Sequence, residues 1–171
     1  MAVIRARRLV TVLAAWLAVV ALAAGVAPAL GAAGAQGQAD IAVIVHPDVA
    51  IDNLTLAELR RVWLGDREFW PSGERITLFI RAPVAAERDA VVSVLCRMTE
   101  AQFRQHWIAK VFRNESPSGP KIVYSADSAR EQVARVPGAI ALVPASAAGT
   151  AGVKVVRIDG RRPGEAGYPL R

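Results

Sequence analysis

The constellation in this 171-residue sequence that could do chemistry is Arg81 followed by Ala85, Ala86 and Glu87. Ile76–Ile80 alternates and is β-branched, which predicts a strand. Arg81 closes it, Pro83 and Val84 turn the chain, and Ala85 onward reads as a helix with Val91, Val92 and Leu95 on one side. A strand running into a helix N-terminus is an anion cradle, because the first N–H groups lack intrahelical acceptors and the helix dipole favours negative charge. A guanidinium at its lip adds charge-assisted donors. Arg81 and the backbone of Ala85, Ala86 and Glu87 are therefore the candidate ligand-binding residues. Against this, the turn offers two alanines and a carboxylate where an anion site wants hydroxyls. Arg81 can equally be a solvated strand-end residue or the partner of Glu87.

Nothing comparable supports catalysis or metal binding. His46 precedes a proline at a strand end and His106 stands next to Trp107 on a helix, far apart in sequence and in no recognisable motif. There is no HExxH, no Cys/His ligand set, no GxSxG and no usual phosphate-binding glycine loop. Ser116, Ser118, Ser125 and Ser128 suit loops and caps, and Glu87 with Asp89 suits a first helical turn. The expectation is no catalytic residue, no metal and no cofactor.

The N-terminus reads as an address. Arg5, Arg7 and Arg8 precede an apolar, Ala-rich stretch from Leu9 to Val26, then Pro28 and small residues to Ala35. This is a secretory signal pattern, with Ala33-Gly34-Ala35 as the cleavage region; an uncleaved anchor is the other reading of so long an apolar stretch. No cysteine lies nearby, so no lipid anchor is expected, and the periplasm is the expected compartment. Losing residues 1–35 removes three arginines and no acid, so the net charge of +6 becomes +3. That balance, without a Lys/Arg stripe interleaved with aromatics, does not call for nucleic acid. The expected organisation is a signal peptide over 1–35, a tether over 36–40 and one domain over 41–171. The one cysteine, Cys96, has no partner for an intramolecular disulfide and reads as a buried structural thiol.

The elements that must position Arg81 are legible in outline. Ile41–Val45 is a short apolar run, predicting a buried strand. Asn53–Gly65 reads as a helix in which Thr55 and Glu58 form a capping box and Gly65 is the left-handed stop. Phe69 and Trp70 are expected to anchor the following turn. Thr99–Val111 repeats the capping box with Gln102 and carries Phe103, Trp107 and Val111 as an expected core stripe. Ile122–Tyr124 is a short strand, Asp127–Val136 a helix capped by Asp127 or Ser128, and Pro137-Gly138 its stop. Ala139–Val143 and Val153–Ile158 are strands, and Gly160–Arg171 is a polar tail. Strands alternating with helices predict an α/β fold, a layered mixed sheet flanked by helices.

Four stretches together carry a resemblance. TLAELRRVWLGDREFWPSG is similar to a helix and turn, ITLFIRAPVAAERDAV to a strand and helix carrying an arginine and a Ser-Gly-Thr turn, PGAIALV to a Pro-Gly-Ala-Ile-Gly-Tyr-Val strand, and Gly167-Tyr168-Pro169-Leu170 to a later segment, of phosphate-type periplasmic solute-binding proteins of ABC transporters. The resemblance spans about Ile41 to Leu170. It implies one lobe of a periplasmic binding protein type II fold, phosphate or a similar small oxyanion as ligand, and inner-membrane permease subunits as partners. Arg81 falls on the family's anion-contacting arginine, while Ala85, Ala86 and Glu87 fall on its Ser-Gly-Thr. Two lost hydrogen bonds to a charged group, each worth roughly 1.5–3 kcal/mol, would weaken binding about a hundredfold or more. The matching segments belong to one lobe of a two-lobed protein, so a second wall would come from a partner or a second copy. The expected function is an exported solute-binding-like module that binds its anion weakly or with a partner. The alternative is a ligand-free interaction or sensory accessory domain acting through protein contacts, with an apolar patch around Phe69 and Trp70 as its mark.

Overall fold

The computed structural model describes residues 40–149 and 152–171. The signal peptide and most of the tether read from the sequence lie outside them. Among the described residues the elements run β1 (Ile41–Val45), β2 (Asn53–Leu54), α1 (Leu56–Trp63), β3 (Thr77–Arg81), α2 (Ala86–Asp89, continued as a π-helical stretch Ala90–Leu95), α3 (Glu100–Phe112), β4 (Lys121–Val123), α4 (Ala126–Arg135), β5 (Ala139–Pro144) and β6 (Lys154–Ile158). The strands form one mixed sheet in the order β2-β6-β1-β5-β3-β4. β1 lies antiparallel between β5 and β6, and β3 is parallel to both β5 and β4.

The sheet is buried on both faces, which explains why its central strands read as continuous apolar runs. Ile41, Val43 and Val45 join Ile140 and Leu142 in a core with α1, α2 and α3, while Ala42 and Ile44 join Ala141, Val143 and Phe79 in a core with α4. Successive strand residues thus alternate between two helix layers.

Both capping boxes are present. The Thr55 hydroxyl accepts the Glu58 N–H at 3.1 Å and the Glu58 carboxylate accepts the Thr55 N–H at 2.9 Å; Thr99 and Gln102 repeat the pattern at 3.2 and 2.9 Å. Such a cap contributes about 0.5–2 kcal/mol. Asn53 and Leu54, expected in the first helical segment, instead pair with β6. The cap of α4 is Ser125, whose hydroxyl accepts the Ser128 N–H at 3.0 Å, rather than Asp127 or Ser128; Asp127 pairs with Arg130.

Three further expectations are corrected. The buried face of α3 is Phe103, Trp107 and Lys110; Val111 stands outside the core. Trp70 is buried and its indole N–H donates to the Gly138 carbonyl at 2.9 Å, but Phe69 is half exposed beneath the Arg75 guanidinium. The segment after β6 is no loose tail. Tyr168 and Leu170 are buried, the Tyr168 hydroxyl donates to the Ile41 carbonyl at 2.8 Å, and the Ile41 N–H donates to the Leu170 carbonyl at 3.0 Å. Asp40 accepts the Gly164 N–H and pairs with Arg171. Two apolar side chains in an otherwise polar stretch therefore close the N-terminal end of β1.

Candidate functional site

The β3–α2 connection is built from short local bonds. Ala82 N–H donates to the Val123 carbonyl at 2.9 Å, which fixes the end of β3 against β4, and Ala85 N–H donates back to Ala82 at 3.4 Å. The turn forces Val84 to φ +77°, fully exposed. A left-handed β-branched residue costs on the order of 1–3 kcal/mol. Helix α2 then starts at Ala85 with no side-chain cap. The Ala85 carbonyl takes the N–H groups of Arg88 and Asp89, at 3.0 and 3.1 Å, so those of Ala86 and Glu87 are left without a backbone acceptor.

Arg81 and Glu87 come together here. Arg81 Nε lies 3.6 Å from Glu87 Oε1, with side chains only 17% and 8% exposed. The solvated reading of Arg81 is therefore wrong. The contact is an ion pair without a hydrogen bond. Arg81 Nε and Nη1 are both buried and neither has a hydrogen-bond acceptor. Ala85 and Ala86 bring only backbone to the site; Ala85 is half-buried and Ala86 exposed. Arg88 locks the turn from the other side. Its Nη1 donates to the Arg81 carbonyl at 3.0 Å, and its Nε and Nη2 grip Glu100 on α3 at 2.6 and 2.9 Å. That bidentate bond holds the Glu100 carboxyl below the ordinary carboxylate range.

Chemically, the arrangement presents a buried guanidinium with two unbonded donors, two N–H groups without a backbone acceptor in the adjacent helical turn, and one carboxylate paired with the guanidinium. It has the donors for an oxyanion, and the Glu87 carboxylate beside them is engaged with Arg81. The histidines stand elsewhere: His46 Nδ1 accepts the Asp48 N–H at 3.2 Å, and His106 Nε2 bonds the Leu64 carbonyl at 2.8 Å. Cys96 is buried among apolar side chains, and that burial pushes its thiol up to about 12.

Beside this turn opens a feature the sequence reading missed. A groove of about 780 Å³ runs between α3 and β4, starting at Pro83 and Arg88. The signal for it was present in α3, where Ile108 and Phe112, one turn apart, extend the apolar surface beyond the Phe103–Trp107–Val111 stripe.

No protein-family model and no curated protein matches the chain. Solved structures do. A Clostridium perfringens protein assigned as a phosphate ABC transporter substrate-binding protein, solved with bound phosphate, superposes with a TM-score of 0.58 at 19% identity, over 73% of this chain and 47% of its own. An ABC-type phosphate transport receptor from Vibrio cholerae gives 0.57 at 16% identity, over 73% and 48%. PstS from Borrelia burgdorferi gives 0.58 at 16%, over 73% and 49%. The α/β fold of periplasmic binding proteins is thus shared, and the chain spans about half the length of the structures it matches. At these identities the likeness is one of fold.

Proposed function

We propose that this chain is an exported, single-lobe solute-binding module that takes phosphate or a similar small oxyanion at Arg81, weakly alone or more firmly when a second protein supplies the facing wall. In this reading a signal peptide is removed near residue 35 and the domain works in the periplasm, with permease subunits of an importer as partners. The observation that carries it is the under-bonded guanidinium. Arg81 is held in the protein with two buried nitrogens, Nε and Nη1, that make no hydrogen bond. Arg60, Trp63, Glu74, Trp107 and Arg130 each leave one buried polar atom unbonded, whereas Arg81 leaves two on one guanidinium, a concentration of unmet donors that an anion would satisfy. The shared fold with phosphate receptors, one of them holding phosphate, points the same way.

Glu87 sets the strength. An incoming anion must displace or tolerate its carboxylate, so binding by the isolated lobe is expected in the millimolar range. The test is calorimetric titration of the purified protein with phosphate, beside Arg81→Ala. Saturable heat that disappears in the variant is the expected result. No heat at millimolar phosphate in the unaltered protein overturns stand-alone binding.

One observation favours a second reading, an accessory domain acting through protein contacts. The exposed apolar residues are concentrated on α3 and β4 rather than at Phe69 and Trp70. A module that binds no anion but associates through that face would fit it.

A further inference from the structure

The α3–β4 groove carries both a hole and a knob. Its floor is Ile80, Phe103 and Trp107, and its walls are Ile108, Val111 and Ile122. Phe112 stands at its end 88% exposed, too far out to fill it. Ile122 and Tyr124 are two residues apart on an extended segment and project to the same side, while Val123 between them enters the α4 core. Tyr124 is 82% exposed. A contiguous apolar surface of this kind marks a contact face.

What covers it is constrained by charge. Arg88 and Glu100 at the lip satisfy each other. Arg104, which lines the groove, is in no ion pair among the described residues, and neither is Asp89, whose carboxylate takes only the Ser93 hydroxyl at 2.6 Å. Exposed Asp89 adjoins Arg88 on α2, and Arg104 stands one turn beyond Glu100 on α3, so the two unpaired charges flank the Arg88–Glu100 bond at the lip. A uniformly acidic or basic partner would match one of these charges and oppose the other. A face that carries hole, knob and both unpaired signs is self-complementary, which is what a two-fold contact requires. We propose that this groove docks a second copy of the chain across a two-fold axis, with Phe112 of each copy seated in the groove of the other and Arg104 of each facing the partner's Asp89. β4 is short, preceded by Pro120 and opened by Lys121, features that blunt edge pairing, so side chains rather than strand hydrogen bonds make the contact. The proposal does not depend on anion binding, although the second copy would stand beside the Arg81 turn.

Sedimentation equilibrium of the purified protein from micromolar to submillimolar concentration tests it. The expected mass is that of two chains. Phe112→Asp, at a side chain that supports no core, is expected to give a monomer with an unchanged circular dichroism spectrum. Asp89→Arg and Arg104→Asp are each expected to raise the dissociation constant at least about tenfold, and the double variant to recover most of the loss. A monomer throughout the concentration range, with the groove left to some other protein, overturns the proposal. So does a dimer indifferent to Phe112→Asp, or a double variant no better than the singles.

Discussion

Two buried cations in this domain have opposite surroundings. Lys110 on α3 reaches the C-terminal end of α1, where its ammonium donates to the Gly65 carbonyl at 2.9 Å and to Asp66 Oδ1 at 2.8 Å. His106, one turn earlier, bonds the neighbouring Leu64 carbonyl. The helix end that would otherwise leave carbonyls unpaired is closed by positive charge, where the helix dipole favours it. Arg81 is similarly enclosed, yet its contact with Glu87 is 3.6 Å long and two of its donors make no hydrogen bond. Lys110 serves the fold, with its ammonium bonded to both neighbours. A cation left under-bonded costs stability and keeps its donors for something else.

The contrast can be broken from the structural side first. Lys110→Ala is expected to lose about 2–4 kcal/mol in a urea titration, from two charge-assisted bonds, while leaving the phosphate heat unchanged. A loss below about 0.5 kcal/mol would show the anchor to be ornamental. Gly65→Ala comes next, at about 1–2 kcal/mol. The residue sits at φ +69° and an added Cβ would come within 2.7 Å of the Trp107 ring that packs the same junction. Cys96 then reports locally. With its thiol pushed up to about 12 by burial, alkylation of the folded protein at pH 8 should be far slower than of the unfolded chain. Lys110→Ala should relax that protection, and Arg81→Ala should not. The smallest effect concerns pH. The Arg88 bond depresses the folded-state pKa of Glu100, so its stabilisation is present above the unfolded pKa and fades as pH falls through the folded one. Glu100→Gln should flatten that acid limb slightly, the carboxylate being half exposed.

Much of this was legible in the chain. The capping boxes at Thr55 and Thr99 are local chemistry, and they were legible because each is closed by bonds within four consecutive residues. The buried strands Ile41–Val45 and Ala139–Val143 were readable as two-sided runs. The order of strands was not, since it depends on pairings such as Ile41 with Pro144 that leave no local trace. The tail failed for the same reason: Tyr168 and Leu170 are two apolar residues in a polar stretch, and only their long-range bonds to Ile41 reveal their role. At the candidate site, the meeting of Arg81 with Glu87 was foreseeable from a strand end and a first helical turn. The missing acceptors were not, because an absent hydrogen bond has no sequence signature.

Glu87 either holds the Arg81 donors closed against an anion or serves the fold alone. Replacing it with the hydroxyl residue that the resemblance places there, Glu87→Thr, and titrating with phosphate tests this most directly. Removing the competing carboxylate and adding one donor is expected to tighten binding by about tenfold or more, with Arg81→Ala abolishing the gain. A Glu87→Thr protein that is folded and binds phosphate no better than the unaltered chain would contradict it, leaving the Arg81–Glu87 pair a feature of the fold alone.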